Sequence, residues 1–219
     1  MAIPAYAPAS SPHVGRGASL APHLLLIHGG SFLFEDPLFE SLTRARVVAA
    51  GFVPHYLTYP LYDLVGAVDA ARAEARRLNG RHPGRVYAYG TSAGGTLAAL
   101  LAGDGMVEAA AAKAPVSDLV AWQWPLTAYG ADYYERIGAA TPDRFRLSPL
   151  RRPARRPFLI VHGRRDRIVP IAMSRQYALK FNRVHLWVVR GGHHTERTRP
   201  ELISRAFRWL ARRSRAKNQ

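Results

Sequence analysis

Ser92 lies within Gly90-Thr91-Ser92-Ala93-Gly94, between a short β-type run, Arg85 to Tyr89, and a helix-like run, Thr96 to Ala102. A serine at a strand-to-helix turn, with glycine two residues away on either side, has the pattern of a nucleophile elbow. The chain must reverse from strand to helix within about one residue, and a Cβ at either flanking position would collide with nearby backbone. The serine hydroxyl is thereby forced above the sheet. The first amides of the following helix then aim at any negative charge that develops beside it. That chemistry is attack on a carbonyl. The five residues alone arise by chance in roughly one chain in fifteen of this length, so their weight depends on what else the chain carries and in what order.

Three further groups follow strand-like runs. His28-Gly29-Gly30-Ser31-Phe32 comes directly after His23 to Ile27. Gly29 and Gly30 let the backbone turn and approach a ligand, so an amide of Gly30 or Ser31, together with that of Ala93, is expected to meet an oxyanion. Asp166, in Gly163-Arg164-Arg165-Asp166-Arg167-Ile168-Val169-Pro170, comes just past the run Phe158 to His162, where a carboxylate can reach an imidazole across the top of a sheet. Asp118, in Pro115-Val116-Ser117-Asp118, is the competing acid, and the order of elements favours Asp166. Gly191-Gly192-His193-His194 follows the last strand-like run. A histidine here can accept the serine proton and return it to a leaving group, with an unperturbed pKa near ~6.5 suited to both tasks. His193 is preferred to His194 because it directly follows the glycine pair, where the loop is sharpest. Adjacent histidines seldom point the same way and no carboxylate-rich set surrounds them, so no metal is expected. The chemistry needs no cofactor. The other histidines, including His13, His55, His82 and His185, are assigned to surface or core.

Elements that alternate between strand and helix must hold these groups. The sequence predicts strands at His23 to Ile27, Val53 to Tyr59, Arg85 to Tyr89, Glu108 to Ala114, Phe158 to His162 and Val184 to Val189. Helices are predicted at Pro37 to Ala50, Asp63 to Leu78 (stopped by Asn79-Gly80), Ile171 to Phe181 and Arg199 to Arg213, besides the one after the elbow. Such alternation implies a parallel sheet with helices on both faces in one domain, residues 23–213, between a loose arm at 1–22 and a fraying end at 214–219. The alanine-rich run Glu108 to Ala114 has poor β-propensity. Residues 116–156 interrupt the rhythm as a cap-like insertion of one or two short helices, whose Trp122, Trp124, Tyr129 and Tyr133, with Phe32, are expected to line a pocket for a small or aromatic group.

Composition bounds the alternatives. The chain has 219 residues, 48% of them hydrophobic and 21% charged, which is ordinary for a folded domain. It has no cysteine, which excludes a thiolate nucleophile and a disulfide framework. The first 20 residues lack a basic segment followed by an apolar run, and no apolar stretch approaches the ~20 residues of a membrane span, so a cytoplasmic protein is expected. Lys and Arg number 31 against 15 Asp and Glu, a net charge of +16. The surplus is spread along the chain and falls in no nucleic-acid-binding module, so no specific nucleic acid is expected as partner. The arginine-rich run 151–156 is expected to be solvated rather than to recruit carboxylated substrates.

Taken in order, His28-Gly29-Gly30, Gly90-x-Ser92-x-Gly94, Asp166 and His193 resemble the α/β-hydrolase superfamily from about His23 to Leu210, and most of all its esterase and lipase branch, with hormone-sensitive-lipase-like esterases, feruloyl esterases and kynurenine formamidases. The resemblance implies an eight-stranded sheet opening on an antiparallel hairpin. Only 22 residues precede the first strand here, too few for that hairpin, so a trimmed sheet of about six parallel strands is predicted. Ser31 and Phe32 depart from the residues usual in that branch. The resemblance implies a serine hydrolase of small carboxylic esters. A formamidase, a peptidase related to prolyl oligopeptidase, or a non-catalytic protein on the same fold remain alternatives.

Overall fold

Leu24, Leu25, Leu26 and Ile27 carry no side-chain group that water could solvate, and all four are fully buried. A strand apolar on both faces has to be covered on both, which a parallel sheet between two helical layers provides. The computed structural model describes residues 21–194 and 200–216. Its strands are β1 (His23–Ile27), β2 (Val53–Leu57), β3 (Val86–Thr91), β4 (Ala110–Lys113), β5 (Phe158–Gly163) and β6 (Val184–Val189). All pair in parallel in the order β2-β1-β3-β4-β5-β6, the trimmed sheet that the sequence predicts.

Alternate side chains enter two separate cores. Leu25, Ile27, Ala88 and Ile160 face helices α2 (Leu64–Arg81), α3 (Ala93–Asp104) and α7 (Ile171–Lys180). Leu24, Leu26, Tyr89 and Val161 face α1 (Phe39–Ala49) and α8 (Pro200–Ala216) through Phe39, Val47, Phe207 and Leu210. Helix α3 is buried at every residue but Asp104, so it is apolar all round, as a central helix must be. It explains the alanine strand. A Cβ on Gly95 would lie only 3.1 Å from the Ala112 Cβ, so helix and strand approach at a distance that larger side chains would prevent. Close packing overrides the low β-propensity of alanine.

The element limits differ from the expected ones for local reasons. Strand β2 ends at Leu57 because its partner β1 ends opposite, at Ile27. Helix α2 begins where Asp63 caps the Gly66 amide at 2.8 Å, and it runs past Asn79-Gly80. The Asn79 amide donates to the Ala75 and Met106 carbonyls, so it reinforces the helix instead of stopping it. Helix α8 continues to Ala216, past the expected end at Arg213; the N-terminal arm through residue 20 and residues 217–219 lie outside the described residues. No helix among the described residues is long and apolar enough to cross a membrane.

The insertion holds three short helices, α4 (Trp124–Tyr129), α5 (Tyr133–Arg136) and α6 (Thr141–Arg146), then a 3₁₀ turn at Pro149–Arg151. The arginine run after it is not simply solvated. Arg151 pairs with Asp118 at 3.3 Å, Arg156 with Glu108 at 3.5 Å, and Arg152 with Asp104, which also holds Arg72 at 2.8 Å. The charges fasten the end of the insertion to α3 and to the start of β4.

Candidate active site

Ser92 sits between β3 and α3 with φ 52° and ψ −117°, a conformation that L-residues rarely adopt. The flanking glycines make it possible. A Cβ on Gly90 would fall 2.1 Å from the Gly94 carbonyl oxygen, and one on Gly94 would fall 2.2 Å from the carbonyl oxygens of both Ile27 and His28. The elbow is thus wedged against the end of β1. The Ser92 amide is spent on the Lys113 carbonyl at 2.9 Å, whereas Ala93, as the first residue of α3, has no intrahelical acceptor for its N–H.

The glycine loop after β1 lies alongside. A Cβ on Gly29 would stand 3.4 Å from that of Ser92, so the backbone runs directly against the serine. Gly30 (φ 117°), Ser31 (φ 54°) and Phe32 (φ 61°) form a run of positive φ. Two non-glycine residues in that region need restraint. The Tyr133 hydroxyl donates to the Ser31 carbonyl at 2.8 Å, the Tyr62 amide to the Phe32 carbonyl at 2.8 Å, and the His28 imidazole, stacked on Tyr59, bonds through Nδ1 to the Gly29 carbonyl at 2.6 Å. Burial pushes the Tyr133 phenol well above its ordinary pKa, so it remains a donor at any workable pH.

Across the cleft, His194 links the other two groups. Its Nε2 is 3.0 Å from the Ser92 Oγ and its Nδ1 is 2.8 Å from the Asp166 Oδ2. Asp166 Oδ1 accepts the Ile168 and Val169 amides, each at 2.9 Å. Burial opposes the charge on Asp166, but hydrogen bonds from His162 and His194, the charge of His194 and the Val169 amide prevail and hold its pKa far below the usual carboxylate range. Among the described residues, no group of three or more histidines and carboxylates is placed to hold a metal.

Several expectations need correction. His194, not His193, lies between Ser92 and Asp166. The glycine pair is used up in crossing the end of β5: a Cβ on Gly192 would be 2.9 Å from the Gly163 Cα, and the Gly192 carbonyl accepts the Arg165 amide at 2.8 Å. One more residue is needed to bring an imidazole over Asp166, and His193 is left exposed. Asp118 is remote in role: it caps the Val120 and Ala121 amides and pairs with Arg151. Of the residues expected to line a pocket, only Trp124 and Tyr129 do so. Phe32 and Trp122 are fully buried in the core, Trp122 donating its indole N–H to the Ile168 carbonyl at 2.8 Å, and Tyr133 braces the glycine loop from below.

The cleft measures about 240 Å³ and opens over Ser92 and His194. Gly29, Gly30 and Ser31 form one side, and Trp124 and Tyr129, edge to face at 5.4 Å, form another. The remaining wall comes from Phe34, Glu35 and Asp36, just beyond the glycine loop, with Phe39 and Leu42 of α1 and Ile203 of α8. Sequence reasoning missed this wall. The available signal was its adjacency to Phe32, but its inward direction depends on the positive-φ turn.

A model of the prolyl oligopeptidase family matches residues 55–216. "Esterase LipC" of Mycobacterium tuberculosis is 27% identical over 199 residues, covering 75% of this chain and 49% of that protein, so the chain spans about half the length of that relative. Among solved structures, a truncated form of carbohydrate esterase from gut microbiota superposes with a TM-score of 0.76 at 15% identity, over 89% of this chain and 86% of the other. Thermogutta terrifontis esterase 2 phosphorylated by paraoxon superposes with a TM-score of 0.73 at 18% identity, over 90% and 85%. At these identities the structural likeness speaks for the fold.

Proposed function

The chain belongs to the prolyl oligopeptidase family, with an α/β-hydrolase fold, and from that premise we propose that it hydrolyses small carboxylic esters through Ser92, His194 and Asp166. The observation that carries the reading is the continuous hydrogen-bonded chain from the Ser92 Oγ through His194 to the Asp166 carboxylate, at 3.0 and 2.8 Å.

In the first step the Ser92 Oγ attacks the ester carbonyl while His194 Nε2 takes its proton. Asp166 holds the Nδ1–H tautomer and offsets the imidazolium charge. The tetrahedral oxyanion is received by backbone amides of Ala93 and of Gly30 or Ser31. As the intermediate collapses, His194 gives the proton to the departing alcohol oxygen. Water, deprotonated by the same imidazole, then releases the acid from the acyl-enzyme. The small cleft with an aromatic wall suits short acyl chains or aromatic groups. The names of the relatives, esterases in each case, agree with ester chemistry. Family membership favours one second reading, cleavage of a peptide or other amide by the same residues.

The test is turnover of p-nitrophenyl acetate, butyrate and palmitate beside an N-formyl anilide and a prolyl p-nitroanilide, with Ser92→Ala as control. Short esters are expected to be the best substrates, and Ser92→Ala to lose about 10⁵-fold in kcat while keeping its fold. Paraoxon should transfer its phosphoryl group to Ser92 with release of one equivalent of p-nitrophenolate. An inert wild-type protein would leave only a non-catalytic role, and a preference for the anilides would favour the amide reading.

A further inference from the structure

His162, on β5, is fully buried and makes three polar contacts. Its Nε2 lies 2.9 Å from the Val169 carbonyl oxygen and 3.2 Å from the Asp166 Oδ2; its Nδ1 lies 2.7 Å from the Ser174 Oγ on α7. Two acceptors face Nε2, so that nitrogen carries the proton. Nδ1 then presents its lone pair, and the Ser174 hydroxyl donates to it. The His162 N–H so aimed reaches the same carboxylate oxygen that receives the His194 N–H at 2.8 Å, while Oδ1 is held by the amides of Ile168 and Val169. Oδ1 of Asp166 therefore has two amide donors, and Oδ2 has the His194 N–H and, at 3.2 Å, a share of the His162 N–H that also serves the Val169 carbonyl.

We infer that His162, held in its Nε2–H form by Ser174, is a positioning residue for the Ser92-His194-Asp166 relay: it fixes the plane of the Asp166 carboxylate and divides the charge of Oδ2 between two imidazoles, which sets the basicity of His194. This rests on the hydrolase reading of those three residues. A carboxylate oxygen that already accepts one hydrogen bond attracts a second donor less strongly. Without His162, the full charge of Oδ2 acts on His194, favours its imidazolium, and moves the acid limb of kcat/KM upward. The plateau falls as well, because the carboxylate is free to turn. The other charged groups nearby stay constant in such a comparison. Arg164, Arg165 and Arg167, in the same loop, are exposed to solvent, and Lys113 of β4, Glu35 and Asp36 line the cleft.

The experiment is the pH profile of kcat/KM on p-nitrophenyl butyrate for wild type, His162→Phe, His162→Gln and Ser174→Ala, each also titrated with paraoxon. His162→Phe should raise the acid-limb midpoint by about one pH unit and lower the plateau about tenfold. His162→Gln, whose amide places an N–H near the former Nε2, should keep the midpoint close to that of wild type. Ser174→Ala should move it up by a smaller amount, since an unanchored ring can change tautomer; being the milder change, it carries the test if His162→Phe does not fold. Lowered plateaus with unmoved midpoints in both His162→Phe and Ser174→Ala would reduce His162 to packing and overturn the inference. So would a shift in His162→Gln as large as in His162→Phe. Wild-type protein that neither turns over the ester nor reacts with paraoxon would instead defeat the hydrolase reading.

Discussion

Two groups of histidines occupy opposite ends of the sheet. At the C-terminal ends of the strands, His162 and His194 share the carboxylate of Asp166. Near the N-terminal ends, His23 bonds His55 at 2.8 Å and stacks on His82 with ring centroids 3.5 Å apart. The neighbours of His23 are imidazoles and Arg85. Burial first, then the charges of His82, His55 and Arg85, push its pKa down to about 4. The same residue type thus meets a carboxylate at one end, and at the other is kept from taking a proton. The surroundings differ: a buried carboxylate accepts imidazole N–H groups at the upper end, whereas burial, aided by neighbouring cationic groups, keeps His23 neutral at the lower.

The contrast is tested most severely at the upper end. His194→Ala should lower kcat by about 10⁵-fold, whereas His193→Ala, one residue away, should remain within a few-fold of wild type; equal losses on p-nitrophenyl butyrate would mean that the loop adopts another arrangement. A smaller effect is expected beside the glycine loop. Tyr133→Phe removes the donor to the Ser31 carbonyl, leaves a buried acceptor unpaired, and loosens two residues at positive φ. We expect kcat to fall about 10- to 100-fold with little change in KM, and a KM effect alone would return Tyr133 to the pocket wall.

The smallest effect belongs to the lower end and concerns stability. An unfolded histidine takes up its proton near ~6.5, while folded His23 resists until about 4. The unfolded state therefore binds more protons between those values, and the contribution of His23 to stability, fully present above the upper value, is lost as pH falls through this window. Wild type should lose stability from pH 7 to pH 4.5 through this group. His23→Phe should lose less over the same range and turn over p-nitrophenyl butyrate as wild type does. Urea midpoints at the two pH values check the first expectation, and an unchanged pH dependence in the variant would remove His23 from the account.

Much of this was legible in the chain. The elbow announced itself because a reversal of strand into helix tolerates only glycine at Gly90 and Gly94, a demand of local sterics that needs no distant contact. The central strands showed as short apolar runs because burial on both sides leaves no room for polar alternation, although the alanines of β4 became a strand only under the close approach of α3. Choices between neighbours were not legible. Whether His193 or His194 reaches Ser92 depends on how many residues the chain spends passing over Gly163, and whether Tyr133 faces the cleft or the underside of the glycine loop depends on where the insertion folds back.

The order and spacing of residues therefore determined the fold class, the serine elbow, the aspartate that follows β5 and the loops that flank them, since backbone sterics and hydrophobic burial act within a few residues of each. Tertiary structure alone decided which imidazole comes between Ser92 and Asp166, and which aromatic rings line the cleft and which brace the glycine loop. Those assignments turn on ångström distances between segments 28 to 102 residues apart, which are set by packing and written in no local pattern.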